Sequence, residues 1–330
     1  AKKMQKISFP LQLLMMSATP DPRILQSFTK VQEIELPDTQ LFPIKDIPKV
    51  VNDFKELDTN VRDSAIDIIN QMSEGTFKPG HILIFTSGNR RINNLMNLIS
   101  CAIESKISQD KKNVKLLKKF DNFLTSQELF YDHLEEVLLN DPDYSDSTMY
   151  FLVIKYAGFV GKEAQQIGKN PIPGHPNVLK IIVATNSIES SITIDGLAAV
   201  IDSGICNIPN YDRTKGITNL DEGPISTQSQ TQRRGRVGRK RDGICVQFTI
   251  KGHPPIELRP PAIETEDISS NILGLRKIKI NLEDIDNLPL PGVSPENMKS
   301  YMDELIKIGA LDKNKNLTDV GYQLAAFSSM

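Results

Sequence analysis

The amino-acid sequence predicts an α/β fold, a doubly wound parallel sheet with helices on both faces, followed by a smaller helical region. Short, nearly continuous apolar runs recur at residues 82–85, 151–156, 178–184, 198–202 and 244–249. Such runs mark strands covered on both faces rather than half-exposed ones. Between them lie stretches with apolar residues at helical spacing, such as Val61, Ala65, Ile68, Ile69 and Met72, and this alternation gives a parallel sheet with crossover helices. A length of 330 residues fits two or three domains.

Taken in order, residues 11–16 (LQLLMM) read as a strand buried on both faces, the last of a domain whose front lies upstream. Residues 34–36 suggest a further short strand, and the proline-containing stretch 37–49 a linker or extended crossover. The helix at 61–72 ends near Gly75, and the strand at 82–85 leads into a helix at 91–103. Residues 106–146 are charged and rich in Lys, Leu, Phe and Asp, and read as helical surface elaboration. An Asp242-Gly243 turn introduces the strand at 244–249. Beyond Ala262, Ile268, Ile272 and Leu275 share a helix face. Ser294-Pro295-Glu296 starts a helix that Gly309 ends, and 310–320 suggests a small wing.

The 39 Lys and Arg against 41 Asp and Glu give a formal charge of −2, so any nucleic-acid contact must come from local positive features. No apolar run reaches the roughly 20 residues that cross a bilayer, and no signal peptide is apparent. Cys101, Cys206 and Cys245 are far apart; this spacing excludes a disulfide framework or a cysteine zinc site and fits a reducing compartment. The four histidines (His81, His133, His175, His253) have no ligand spacing, and no metal or catalytic role is expected of them.

The most informative stretch is TQRRGRVGRKR, residues 231–241, in which six of the nine residues from Arg233 to Arg241 are cationic. A basic run of this kind reads by default as a solvated turn or an import-like patch. Its spacing favours another chemistry. On a helix Gln232, Arg236 and Arg239 form one stripe. Gly235 and Gly238 remove bulk beside the arginines, so a ligand or another backbone can approach. Each glycine costs about 1 kcal/mol in a helix, so both need a reason. Two guanidiniums and an amide together suit a triphosphate and a positioned water. Upstream, TNSIESSITIDG (185–196) is dense in hydroxyls and amides just beyond a strand's carboxyl end, where ligands bind in open α/β sheets.

QRRGRVGR closely resembles motif VI of superfamily 2 helicases, and residues 180–196 resemble motif V of their DEAH/RHA family. The resemblance implies that Arg236 and Arg239 are arginine fingers and that Gln232 orients the attacking water. It further implies that Thr185 and Asn186 hold a nucleic-acid backbone, that Ser191 senses the γ-phosphate, that Asp195 binds the ribose, and that Gly235 lies against the nucleotide. A hairpin around Tyr211–Gly216 and the lead-in Pro224-Ile225-Ser226 match the family's order. Ser17, Ala18 and Thr19 resemble motif III, which links the two motor domains. ILIFTSG (82–88) resembles motif IV, with Thr86, Ser87 and Gly88 toward nucleic acid. Residues 262–330 are similar to the family's winged helix, here expected to brace the motor.

The expected division is 1–45, tail of a first RecA-like domain and crossover; 46–261, second RecA-like domain; and 262–330, winged helix and start of the next helical domain. The expected activity is ATP- or NTP-driven movement on RNA with Mg2+, the metal ligands and phosphate loop lying upstream, so that this stretch alone is inactive. The nearest approach to a phosphate loop, 161–170 (GKEAQQIGKN), has six residues between its glycines and Asn170 in place of the hydroxyl. Expected partners are RNA, the first RecA-like domain of the same chain, and protein cofactors of unknown identity, with no membrane. The resemblance implies a viral or divergent eukaryotic member, in cytoplasm, nucleus or virion and not secreted. Two departures stand out. The stretch between motifs IV and V is long, and Gly168 falls where the family has a base-stacking Phe. An inert helicase-fold scaffold and a DNA translocase are the competing readings; an inert module has no use for the arginine stripe.

Overall fold

In the computed structural model the described residues are 14–17, 32–34, 41–107, 113–117, 126–142, 144–156, 162–189, 193–212, 215–260, 262–280 and 295–327. They form two compact units, the larger spanning 37–208 and 220–259, the smaller 1–36, 209–219 and 260–330.

The larger unit is built on a seven-stranded sheet among the described residues. Its strands are β1 (Ile44–Val51), β2 (His81–Phe85), β3 (Val114–Leu117), β4 (Met149–Tyr156), β5 (Val178–Ala184), β6 (Leu197–Asp202) and β9 (Gly243–Ile250). The spatial order is β1-β9-β6-β2-β5-β4-β3, and every pairing is parallel. The central strands β2, β5 and β6 are buried at every position, as continuous apolarity requires. Helices α1 (Phe54–Ser73) and α2 (Asn89–Ile107) pack their apolar stripes on one face, with Val61, Ile68, Ile92 and Ile99 in that core. On the other face α3 (Gln127–Leu139) and α4 (Lys162–Lys169) contribute Phe130, Leu134 and Ile167. Asp53 caps α1 by accepting from the Lys55 and Glu56 amides at 2.7 and 3.1 Å, satisfying N–H groups that a helix start leaves open.

Several sequence expectations are corrected. Residues 14–16 form no strand, and Leu14 and Met16 are 80% and 86% exposed. A strand covered on both faces needs neighbours on each side, and no described residue supplies them. Ile34 is likewise irregular and exposed; Leu36 lies outside the described residues. The supposed linker contains β1, with Pro48 inside it. An edge strand tolerates proline because its outward N–H is not needed by the ladder. The segment 106–146 is not wholly helical, because β3 extends the sheet along β4.

β7 (Ile205–Asp212) and β8 (Ile217–Pro224) form a separate two-stranded ribbon. Gly216 makes its turn with φ +64° and donates to the Asp212 carbonyl at 2.8 Å. The smaller unit gathers the ribbon's outer part with α6 (Ala262–Thr265), α7 (Ser269–Lys277), α8 (Pro295–Lys307) and α9 (Asp319–Phe327). Its core holds Ile272, Tyr301, Leu305, Leu311 and Ala325. Tyr211 stacks on Tyr301 at 5.9 Å with planes 14° apart, and the Tyr301 hydroxyl donates to the Glu266 carbonyl. The expected wing is a turn closed by the antiparallel Leu311–Leu317 bridge, after Gly309 ends α8 with φ +74°.

Candidate nucleotide and nucleic-acid site

The arginine stretch does not run as a single helix. Helix α5 (Thr227–Arg234), capped by Ser226 accepting from the Ser229 amide, stops at Gly235. Gln232 therefore sits on the last turn, and Arg236 and Arg239 follow in irregular backbone. Gly238 explains the break. It has φ +74°, and a Cβ there would lie 2.6 Å from the Ile44 side chain and 3.0 Å from the Phe42 carbonyl. The close approach that the glycine permits is thus to the start of β1, where Phe42 donates its amide to the Gly238 carbonyl at 3.1 Å.

Backbone contacts nonetheless keep the expected side chains together. Arg236 Nε donates to the Gln232 carbonyl at 3.2 Å, and Arg239 Nε to the Gly235 carbonyl at 2.8 Å. Both guanidiniums are half-buried. Burial, then the neighbouring Arg239 charge, pushes Arg236 down to about 10; burial also lowers Arg239. Cations whose pKa falls through desolvation and mutual repulsion gain from a bound anion. Such a pair is electrostatically suited to an anion.

The strand-end segment meets this stretch. Arg239 donates to the Thr193 hydroxyl at 3.3 Å, and Lys240 forms an ion pair with Asp195. The expected nucleotide residues Gln232, Arg236, Arg239, Asp195 and Gly235 are therefore neighbours, while Ser191 lies outside the described residues. Thr185 caps a 3-10 turn (Asn186–Ile188) by accepting from the Ser187 amide at 3.4 Å, and Asn186 is exposed on it. Beyond β2, Thr86 is fully buried, its hydroxyl without a partner among the described residues. The Ser87 hydroxyl is taken by Glu222, which also holds Arg91 at 2.7 Å. Only Gly88 of that trio is partly open. Ser17 is exposed; Ala18 and Thr19 lie outside the described residues. No three His, Cys, Asp or Glu side chains converge among the described residues, and no step is assigned to Mg2+.

Sequence reasoning missed Thr193, Lys240, Glu189 and Asp202. Arg233 is fully buried. It donates to Glu189 at 2.9 Å, Asp202 at 2.7 Å and the Ile205 carbonyl at 3.3 Å, with Phe85 beneath it at 4.9 Å. Burial opposes its charge, and Asp202 and Glu189 more than compensate, so its pKa is raised. Arg234 makes a two-point pair with Asp46. Both arginines are thus held in ion pairs within the larger unit. Asp202 carried one signal, a carboxylate closing the apolar strand LAAVID.

A family model for the helicase associated domain (HA2), winged-helix, matches residues 302–328. The chain is 30% identical over 209 residues to the pre-mRNA-splicing factor ATP-dependent RNA helicase prp22 of Schizosaccharomyces pombe, a match covering 62% of this chain and 18% of that protein. It is 30% identical over 178 residues to the putative ATP-dependent RNA helicase DHX57 of Homo sapiens, covering 52% and 13%. The chain thus matches less than a fifth of either relative's length. Two solved structures of the Escherichia coli DEAH/RHA helicase HrpB, a DExH-box NTPase, superpose with TM-scores of 0.68 and 0.70. Identities are 20% and 21%, and each match covers 99% of this chain and about a third of HrpB (34% and 35%); at that identity they speak for the fold. The parallel RecA-like sheet, the winged-helix match and the two helicase relatives together support a C-terminal region of a DEAH/RHA-type superfamily 2 helicase.

Proposed function

We propose that this chain forms one half of an ATP-driven RNA-translocating motor, with residues 46–261 as its second RecA-like domain and 262–330 bracing it. The observation that carries this reading is the half-buried pair Arg236 and Arg239, held by backbone carbonyls beside Asp195 and Thr193. In it Arg236 and Arg239 stabilise charge on the transferred phosphate, Gln232 orients the attacking water, and Asp195 exchanges Lys240 for the ribose hydroxyls. Ser191 senses the γ-phosphate. A bound NTP-magnesium complex supplies the scissile phosphate, and its metal ligands come from the first RecA-like domain, to which Ser17, Ala18 and Thr19 connect. Thr185, Asn186 and the Thr86–Gly88 turn follow the nucleic-acid backbone. The relatives named as ATP-dependent RNA helicases support ATP and RNA as the substrates, and an intracellular setting, cytoplasmic or nuclear, follows from that role.

The test is NTP turnover by the complete protein with and without single-stranded RNA or DNA of equal length. The reading expects turnover that RNA stimulates. Stimulation by DNA alone would make it a DNA translocase, and no turnover under either condition would make it an inert scaffold.

A further inference from the structure

The motor reading leaves unexplained the polar cluster around Arg233. Arg233 bridges three segments of different function. Through Glu189 it reaches the turn that carries Thr185 and Asn186; through Asp202 and the Ile205 carbonyl it reaches the end of β6 and the start of β7. Its own backbone is the last turn of α5, next to Gln232. A buried cation facing two carboxylates is costly to desolvate and is a poor choice for packing alone. The cluster also has spare hydrogen-bonding capacity. Arg233 Nη2, Asp202 Oδ2, the Ser203 hydroxyl and the Thr86 hydroxyl have no partner among the described residues, and all four residues are at least 95% buried. These residues meet at one place, since β2 and β6 pair Phe85 with Asp202 and the Ser203 amide donates to the Phe85 carbonyl at 3.1 Å. Buried polar groups are normally satisfied, so several unsatisfied ones together call for a reason. A network with unused donors and acceptors can exchange partners without leaving the interior.

We infer that Arg233 is a positioning residue that couples the nucleotide-facing residues to the nucleic-acid-facing turn, acting through Glu189. Displacement of α5 by nucleotide shifts Arg233 between Glu189 and the spare acceptors of Asp202 and Ser203, and the turn bearing Thr185 and Asn186 follows. The inference rests on the motor reading above.

The experiment uses the complete protein with Glu189→Gln, Arg233→Lys and the double substitution. Glu189→Gln keeps the shape and removes the charge that holds the turn. Measured are melting temperature, basal ATP turnover, the ratio by which single-stranded RNA raises turnover, and RNA affinity. Coupling between sites is typically worth about 5- to 150-fold. Glu189→Gln should therefore lower the RNA stimulation ratio about fivefold or more, with basal turnover near wild type when assayed below the variant's own melting transition, which falls as one counter-charge of the buried Arg233 is lost. Arg233→Lys should lower it similarly, and the double variant should be no worse than the worse single. An unchanged ratio in folded Glu189→Gln overturns the inference. So does an equal fall of basal and stimulated turnover, which marks a purely structural part. Absence of turnover in the wild-type protein instead defeats the motor reading, and this inference with it.

Discussion

At the residue scale, the account turns on groups whose protonation and partners are set by burial. His81 is buried, and its Nδ1 accepts from the Lys180 amide at 3.0 Å. Burial, with the charges of Lys180 and Arg241, lowers its pKa to about 3. The folded state thus resists protonating a ring that the unfolded chain protonates near 6.5. Between about pH 6.5 and 3 the unfolded state binds more protons, so this contribution to stability is complete above 6.5 and is lost as pH falls. The slope from one group approaches ~1.4 kcal/mol per pH unit. Urea unfolding from pH 7 to 4 should show it, and His81→Asn should flatten the dependence in that window; an equally steep variant would refute the assignment. Lys180 is lowered to about 7 by burial, yet its ammonium donates to the Ile167, Gly168 and Asn170 carbonyls. Three acceptors need the three N–H groups that only the charged form has. It closes the end of α4 just where Asp195 donates its amide to the Lys169 carbonyl at 3.0 Å.

At the element scale, the break between α5 and the arginines is the decisive feature. Gly238→Ala places a methyl group against Ile44 and the Phe42 carbonyl at a positive φ, costing about 1–3 kcal/mol for the backbone strain alone. Thermal melts should show that loss, and turnover by the complete protein should fall with it because Arg239 follows directly; a variant of unchanged stability would contradict the packing described. The central strands were legible in sequence because they are covered on both faces, so that all their residues but His81, Lys180 and Asp202 are apolar. β1 (IKDIPKVV) and β3 (VKLL) were not, since edge strands keep charges and a proline that resemble linker composition. The arginine spacing foretold that Arg236 and Arg239 lie close to Gln232 and Gly235, but not the backbone that brings them there. A helix was the natural reading, and what interrupts it is a strand nearly two hundred residues away. The Arg233 cluster was illegible for the same reason, its partners lying 44 and 31 residues off in sequence.

At the scale of the whole molecule, the described parts of the segments at 185–196 and 231–241 meet twice: at the carboxyl end of β6, where Arg233 holds Glu189 and Asp202, and ahead of the amino end of β6, where Arg239 and Lys240 reach Thr193 and Asp195. The one stretch resembling a phosphate loop, residues 161–170, contains helix α4 (Lys162–Lys169) rather than a glycine-rich cradle. The purified 330-residue chain is accordingly expected to hydrolyse no NTP; turnover above background by that chain would contradict the assignment of phosphate binding to another domain. In the smaller unit, the Tyr211–Tyr301 stack ties the ribbon to the helix that precedes the wing. The central claim is that Arg236 and Arg239 serve phosphate transfer. Its most direct test is kcat for RNA-stimulated ATP hydrolysis by the complete protein carrying Arg239→Ala. An arginine finger is worth roughly 10³–10⁵ in rate, so turnover should fall at least about a thousandfold with RNA affinity within about twofold of wild type. Turnover within tenfold of wild type would contradict the account.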